Sequence, residues 1–136
     1  MKKIEKWNDL TDEAINHKYA GDYITISKYG RFYMKTSTIF RHKEFFNVTH
    51  VDVRYSKAQK ALVFLFNKEN RGMKLTFCKA QEGTLTFGSM YFFSRLNLNI
   101  LTQQTKKYVV VKEKIPTLGE ALVIYLEKNT AQELDL

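Results

Sequence analysis

The chain has 136 residues, with 22 Lys and Arg against 14 Asp and Glu and a formal charge of +8, a length that suits one domain with one core and leaves little room for two. Six glycines, one proline and 26% charged against 44% hydrophobic residues exclude collagen-like, linker-like and disordered classes. The lone cysteine, Cys78, excludes an intramolecular disulfide and a Cys-rich zinc site and fits a reducing compartment; no apolar run reaches the roughly 18 residues of a membrane span, and no apolar segment follows Lys2 and Lys3 as a secretory signal would require.

Residues 1–21 are polar, with Trp7, Leu10, Ala14 and Ile15 near helical spacing and Asn8 or Thr11 as caps, which predicts a short helix or an irregular arm. Tyr23 to Ser27 alternates polar with apolar residues, Tyr29-Gly30 can turn, and Arg31 to Met34 returns as a β-hairpin. Thr36 to Phe46 reads as a short helix capped by Thr36 or Ser37 and buried through Ile39, Phe40 and Phe45 or Phe46. Val51–Tyr55 and Ala61–Phe66 are strands, the second apolar on both sides. The order then recurs: a hairpin over Lys74–Phe77 and Thr84–Phe87, a helix over Ser89–Asn99 carrying Met90, Phe92, Phe93 and Leu96, and strands over Tyr108–Lys112 and Ala121–Leu126. Residues 128–136 form a short acidic tail.

This recurrence reads as an internal repeat, 22–70 and 74–127, within one domain spanning 22–127. Gly30 aligns with Gly83, Phe32 with Leu85, Met34 with Phe87, and Ala61-Leu62-Val63 with Ala121-Leu122-Val123. The expected fold is α+β: two four-stranded antiparallel sheets, each followed by a helix packed on it, in permuted order. One sheet would run from Val51 to Phe87 before the helix at Ser89. The other would join the C-terminal hairpin to the N-terminal hairpin before the helix at Thr36.

Pleating sorts the faces. Ile24, Ile26, Phe32, Met34, Leu75, Phe77, Leu85 and Phe87 form one apolar side; Tyr23, Thr25, Ser27, Arg31, Tyr33, Lys74, Thr76, Thr84 and Thr86 form the other. Rings interleaved with cations suit single-stranded nucleic acid, with Tyr23, Tyr33 or Tyr108 stacking on bases and Lys28, Arg31, Arg54, Lys57, Lys60, Lys74 and Lys107 on phosphates. A polar outer face is also what an ordinary antiparallel sheet shows to water. The charge distribution favours the first reading: residues 22–126 hold 17 basic against 7 acidic residues, a body of +10 more basic than the whole chain. The second apolar side of Ala61, Val63 and Leu65 and of Ala121, Val123 and Tyr125 needs its own cover. Packing of the N-terminal arm would supply it, but self-association as a homodimer is the favoured expectation.

His17, His42 and His50 show no ligand spacing, no Walker, GxGxxG, HExxH or GxSxG motif occurs, and no acids cluster as a nuclease site requires. The expectation is a non-enzyme with no catalytic residues, metal or cofactor.

Four strands followed by a helix, twice, in a small basic chain resembles the single-stranded-DNA-binding transcription-coactivator fold of positive cofactor four and the plant Whirly proteins. Ser56-Lys57-Ala58-Gln59-Lys60-Ala61-Leu62 resembles the Whirly Lys-Gly-Lys-Ala-Leu-Leu stretch, with an insertion and without its glycine. Ile24 to Met34 resembles the hairpin of small lactococcal phage proteins. The resemblance implies a phage protein in the host cytoplasm, away from membranes, that binds single-stranded or branched DNA with low sequence specificity. It also implies an oligomer and a role in transcription regulation at the host machinery. Two alternatives stand beside it: a protein-interaction factor that modulates a host protein, and a sequence-specific duplex DNA regulator.

Overall fold

A computed structural model describes residues 22–79 and 81–127. The sequence expectations for 1–21 and 128–136 lie outside the described residues. Ten strands and two short helices alternate along the described chain: β1 (Tyr23–Ile26), β2 (Phe32–Lys35), α1 (Thr36–Phe40), β3 (His50–Ser56), β4 (Ala61–Asn67), β5 (Met73–Lys74), β6 (Thr76–Phe77), β7 (Thr84–Phe87), α2 (Met90–Arg95), β8 (Lys106–Val109), β9 (Val111–Ile115) and β10 (Gly119–Tyr125).

The strands make two antiparallel sheets of five, not of four. Sheet 1 has the order β6-β7-β2-β1-β8 and sheet 2 the order β5-β3-β4-β10-β9. The expected grouping therefore changes. The strands between Val51 and Phe87 do not form one sheet; β3 and β4 belong to sheet 2 and β7 to sheet 1, and the helices follow strands of sheet 1 alone. The segments predicted as single strands at Lys74–Phe77 and Tyr108–Lys112 each bend and change sheets, at Leu75 and at Val110. The Leu75 N–H donates to the Thr49 carbonyl at 2.9 Å and the Val110 N–H to the Asp22 carbonyl at 3.0 Å, so the ladder is held through both corners. With β5–β6 and β8–β9 each counted as one bent strand, every strand has two neighbours and the sheets close into a ring. Within the sheets β5, β6, β8 and β9 are the end strands and pair on one side only.

The pairing is nearly two-fold symmetric. Exchanging β1 and β2 with β5–β6 and β7, and β3 and β4 with β8–β9 and β10, maps the ladder onto itself. The registers agree: Phe32↔Phe87 exchanges with Met34↔Leu85 about the Tyr33↔Thr86 pair, and Leu122↔Phe64 exchanges with Ile124↔Leu62 about Val123↔Val63.

The inward sides of both sheets make one core. Ile24, Ile26, Phe32, Met34, Leu85 and Phe87 from sheet 1 meet Val51, Leu62, Phe64, Leu122 and Ile124 from sheet 2. Phe32 is its hub, with ring centroids 5.4 Å from Phe64, 5.0 Å from Phe87, 5.8 Å from Phe92 and 5.2 Å from Phe93. Ala61, Leu65, Ala121 and Val123 are buried on the outer side of β4 and β10. Val63 and Tyr125, on the same side, are only half-buried.

The helices are shorter than periodicity suggested. The stretch predicted as a helix over Thr36–Phe46 is five α-helical residues, then a separate 3-10 turn at Lys43–Phe45; the cap position falls on Lys35, which makes no side-chain capping bond. The second is six residues, then a 3-10 turn at Asn99–Thr102. Asn47 (φ 63°) and Asn97 (φ 58°) stop both segments in the left-handed region, where asparagine is among the better-tolerated residues. No helix among the described residues is long and apolar enough to cross a membrane.

Candidate nucleic-acid interface

The outer side of sheet 1 gathers part of the predicted set. Register places Lys107, Thr25, Tyr33, Thr86 and Thr76 in one cross-strand row over all five strands. The neighbouring row runs Val109, Tyr23, Lys35 and Thr84. A hollow of about 580 Å³ opens over these rows, lined by Tyr23, Thr25, Tyr33, Lys35, Cys78 and Lys107 among others. Tyr23 and Tyr33 are half-buried, with one part of each ring in the sheet and one part in the hollow. The Lys107 ammonium stands 5.5 Å from the Tyr23 ring centroid, a cation–π distance.

Arg31 closes one end of this face. Its Nε donates to Thr86 Oγ1 at 3.1 Å and its Nη1 to the Gly88 carbonyl at 2.7 Å, so among the described residues the guanidinium is fixed by neutral acceptors. Ser27 holds the turn beneath it: its hydroxyl accepts from the N–H groups of Tyr29 and Arg31. Lys28, in the same turn, is exposed, and its N–H donates to Thr105 Oγ1 at 3.1 Å.

Among the described residues the strands on this side carry cations and no acid, while Glu82 stands in the β6–β7 turn. No Asp or Glu occurs from residue 23 to 43 or from 83 to 112, the stretches that supply β1, β2, β7, β8 and both helices. Lys28, Arg31, Lys35 and Lys107 make no ion pair with any described residue. Cations held without counter-ions on a surface concentrate the field that attracts a polyanion.

The remaining predicted residues lie elsewhere. Tyr108 pairs with Ile24 on the inward side and is 2% exposed; burial pushes its hydroxyl above the ordinary tyrosine range, and its ring has no face for a base. Lys74 sits in β5 opposite His50, on sheet 2, because the chain changes sheets at Leu75; it does not share a face with Tyr23 and Tyr33. Arg54 is on the outer side of sheet 2 and bonds Asp52 at 3.0 Å. Lys57 and Lys60 are in the turn between β3 and β4, and Lys60 pairs with Glu127 at 3.1 Å. The structure thus brings together Tyr23, Lys28, Arg31, Tyr33 and Lys107 and separates Arg54, Lys57, Lys60, Lys74 and Tyr108 from them.

Lys35 was missed, although it continues the alternation of Arg31 and Tyr33 by one step. Cys78 and Gln81 also line the hollow, brought there by the β6–β7 turn. A smaller cavity of about 340 Å³ lies at the Val110 corner, lined by Asp22, Arg41, His42 and Lys112 among others. Asp22 accepts from Arg41, and Glu44 accepts from Lys112 at 2.9 Å, which lowers the Glu44 carboxyl. Burial, then the Lys112 and Arg41 charges, holds the His42 imidazole below its ordinary value. These groups satisfy one another across the corner. No cluster of three or more His, Cys, Asp or Glu suited to a metal ion occurs among the described residues. No known protein family, curated protein or solved structure matches the chain.

Proposed function

We propose that the chain binds single-stranded nucleic acid across the outer side of sheet 1, with low sequence specificity. The observation that supports this reading best is a sheet whose strands carry no acid, on which half-buried Tyr23 and Tyr33 lie among Arg31, Lys35 and Lys107. Bases have π-faces whatever their identity, so stacking on tyrosine tolerates any sequence, while the cations follow the backbone. The resemblance to the coactivator fold makes the ligand single-stranded or branched DNA, and regulation of transcription in a phage-infected cell the outcome.

The test is a titration of a labelled single-stranded oligonucleotide at several salt concentrations, with duplex of the same sequence as competitor. Neutralising about four phosphates with Lys28, Arg31, Lys35 and Lys107 predicts a slope of log affinity against log salt of about −2 to −3. Absence of binding at low salt, or stronger competition by duplex than by single strand, overturns the reading.

A further inference from the structure

The near two-fold symmetry supplies an internal control for one end of the molecule. The Thr36 N–H, at the start of α1, donates to the Gly83 carbonyl at 2.8 Å, so α1 begins against the β6–β7 turn. At the equivalent place α2 begins against the β1–β2 turn: a Cβ on Gly30 would lie 2.7 Å from the Met90 nitrogen. The approach is closer at the second end, since nothing lies within 4 Å of a Cβ built on Gly83. Where one has Glu82, Ser37 and Thr38, the other has Tyr29, Met90 and Tyr91. Tyr29 is 71% and Tyr91 70% exposed, and Met90 is exposed beside them.

Each ring carries a cation. The Lys28 ammonium stands 5.5 Å from the Tyr29 centroid, and the Arg95 guanidinium 5.8 Å from that of Tyr91. Through the Gly30–Met90 contact the two tyrosine Cα atoms lie no more than about 12 Å apart. Arg31, bonded to Thr86 on the sheet and to Gly88 before α2, links this end to the face carrying Tyr23 and Tyr33. All the surrounding segments fall in the stretches without Asp or Glu.

We infer that Tyr29 and Tyr91 are base-stacking positions that receive a single strand as it leaves sheet 1 over Arg31. The occupant is single-stranded nucleic acid because the patch joins exposed rings with cations that pair with no acid among the described residues, and because it continues the sheet 1 face. The inference rests on the reading of that face as a nucleic-acid surface and extends its footprint beyond the sheet.

The experiment uses the full chain and labelled oligothymidines of about 4 to about 16 nucleotides, the range of site sizes seen for single-strand-binding domains. The double variant Tyr29→Ala/Tyr91→Ala should lose roughly tenfold or more in affinity for the longest oligonucleotide and little for the shortest. Its salt slope should stay unchanged, because no phosphate contact is removed. Tyr29→Phe/Tyr91→Phe should bind like the wild type, and melting curves should show both variants folded, since neither ring is in the core. If the wild type binds but the alanine variant binds every length equally well, this inference fails and the sheet 1 reading stands. If the wild type binds no oligonucleotide, both fail. If polyglutamate competes as well as oligothymidine, the patch takes an acidic protein and the inference is overturned.

Discussion

The two sheets contribute alike to the core and differ in what they show outside. The strands of sheet 1 contain no Asp or Glu, and its cations stand over rings or neutral acceptors. Sheet 2 carries Asp52, Glu113 and Glu120, and cations on and around it pair with acids: Arg54 with Asp52, Lys112 with Glu44, Lys60 with Glu127. Most of the outer side of β4 and β10 is buried and apolar. Stability asks only for the inward alternation, which both sheets supply, so the outer faces are free to differ: sheet 2 pairs cations with acids, and the strands of sheet 1 hold cations without acids.

The largest expected effect breaks both sheets at once. Phe32→Ala removes the ring that joins Phe64 of sheet 2 to Phe87, Phe92 and Phe93, at a cost of roughly 3–5 kcal/mol. Urea unfolding followed by circular dichroism and by tyrosine fluorescence should give one coincident transition at a lower midpoint. Separate transitions would mean that the sheets unfold independently and that their shared core is not one unit.

Glycines separate the two halves more finely. Gly72, before the corner into β5, has φ 85°, and a Cβ there would overlap the Val51 carbonyl. Gly72→Ala should cost roughly 2–5 kcal/mol through strain and overlap together. Gly83 has φ 78° and open space around it, so Gly83→Ala should cost only the left-handed strain, about 1–2 kcal/mol. Equal losses in denaturation would contradict the close approach at the corner.

The functional side of the comparison is sharpened by one ring and two cations. Tyr33→Ala should weaken single-strand binding by about 1–3 kcal/mol. Lys107→Ala should weaken it less and reduce the magnitude of the salt slope by about 0.7. Arg54→Ala on sheet 2 should change neither, because its charge is already answered by Asp52 at 3.0 Å. Equal effects of Lys107→Ala and Arg54→Ala would move the interface off sheet 1.

Strict alternation made much of sheet 1 legible. Ile24, Ile26, Phe32, Met34, Leu85 and Phe87 went inward as expected, and Tyr23, Thr25, Tyr33 and Thr86 outward. The corners were not legible, because a period of two runs unbroken through Leu75 while the chain leaves one sheet for the other. Lys74 was assigned to the wrong face for that reason. Tyr108 failed differently: Val109, Val110 and Val111 are apolar on both phases of the pleat, so the pattern does not say which phase is inside. Helix length was misjudged because Ile39, Phe40, Phe45 and Phe46 fit one helical face although the chain breaks between them. Lys35 was readable and was overlooked, since it needed only one further step along β2.

The smallest effect tests how each sheet treats its tyrosines. On sheet 1 the Tyr23 ring lies near the Lys107 ammonium, whereas on sheet 2 the Tyr125 hydroxyl donates to the Glu113 carboxylate. That hydrogen bond, then burial, pushes the Tyr125 hydroxyl up to about 12 from an ordinary 10. Because the folded value is the higher one, the neutral hydroxyl favours the fold; its contribution is complete below about pH 10 and is lost as pH rises toward 12. The side chain is partly open to water, so screening keeps that contribution below about 1 kcal/mol. Urea midpoints of the wild type and Tyr125→Phe should therefore differ slightly at neutral pH and converge between pH 10 and 12. Convergence at lower pH would mean that Glu113 does not hold the hydroxyl. Single-strand binding at neutral pH should be the same for both proteins, because the bond lies on sheet 2, away from Tyr23 and Tyr33.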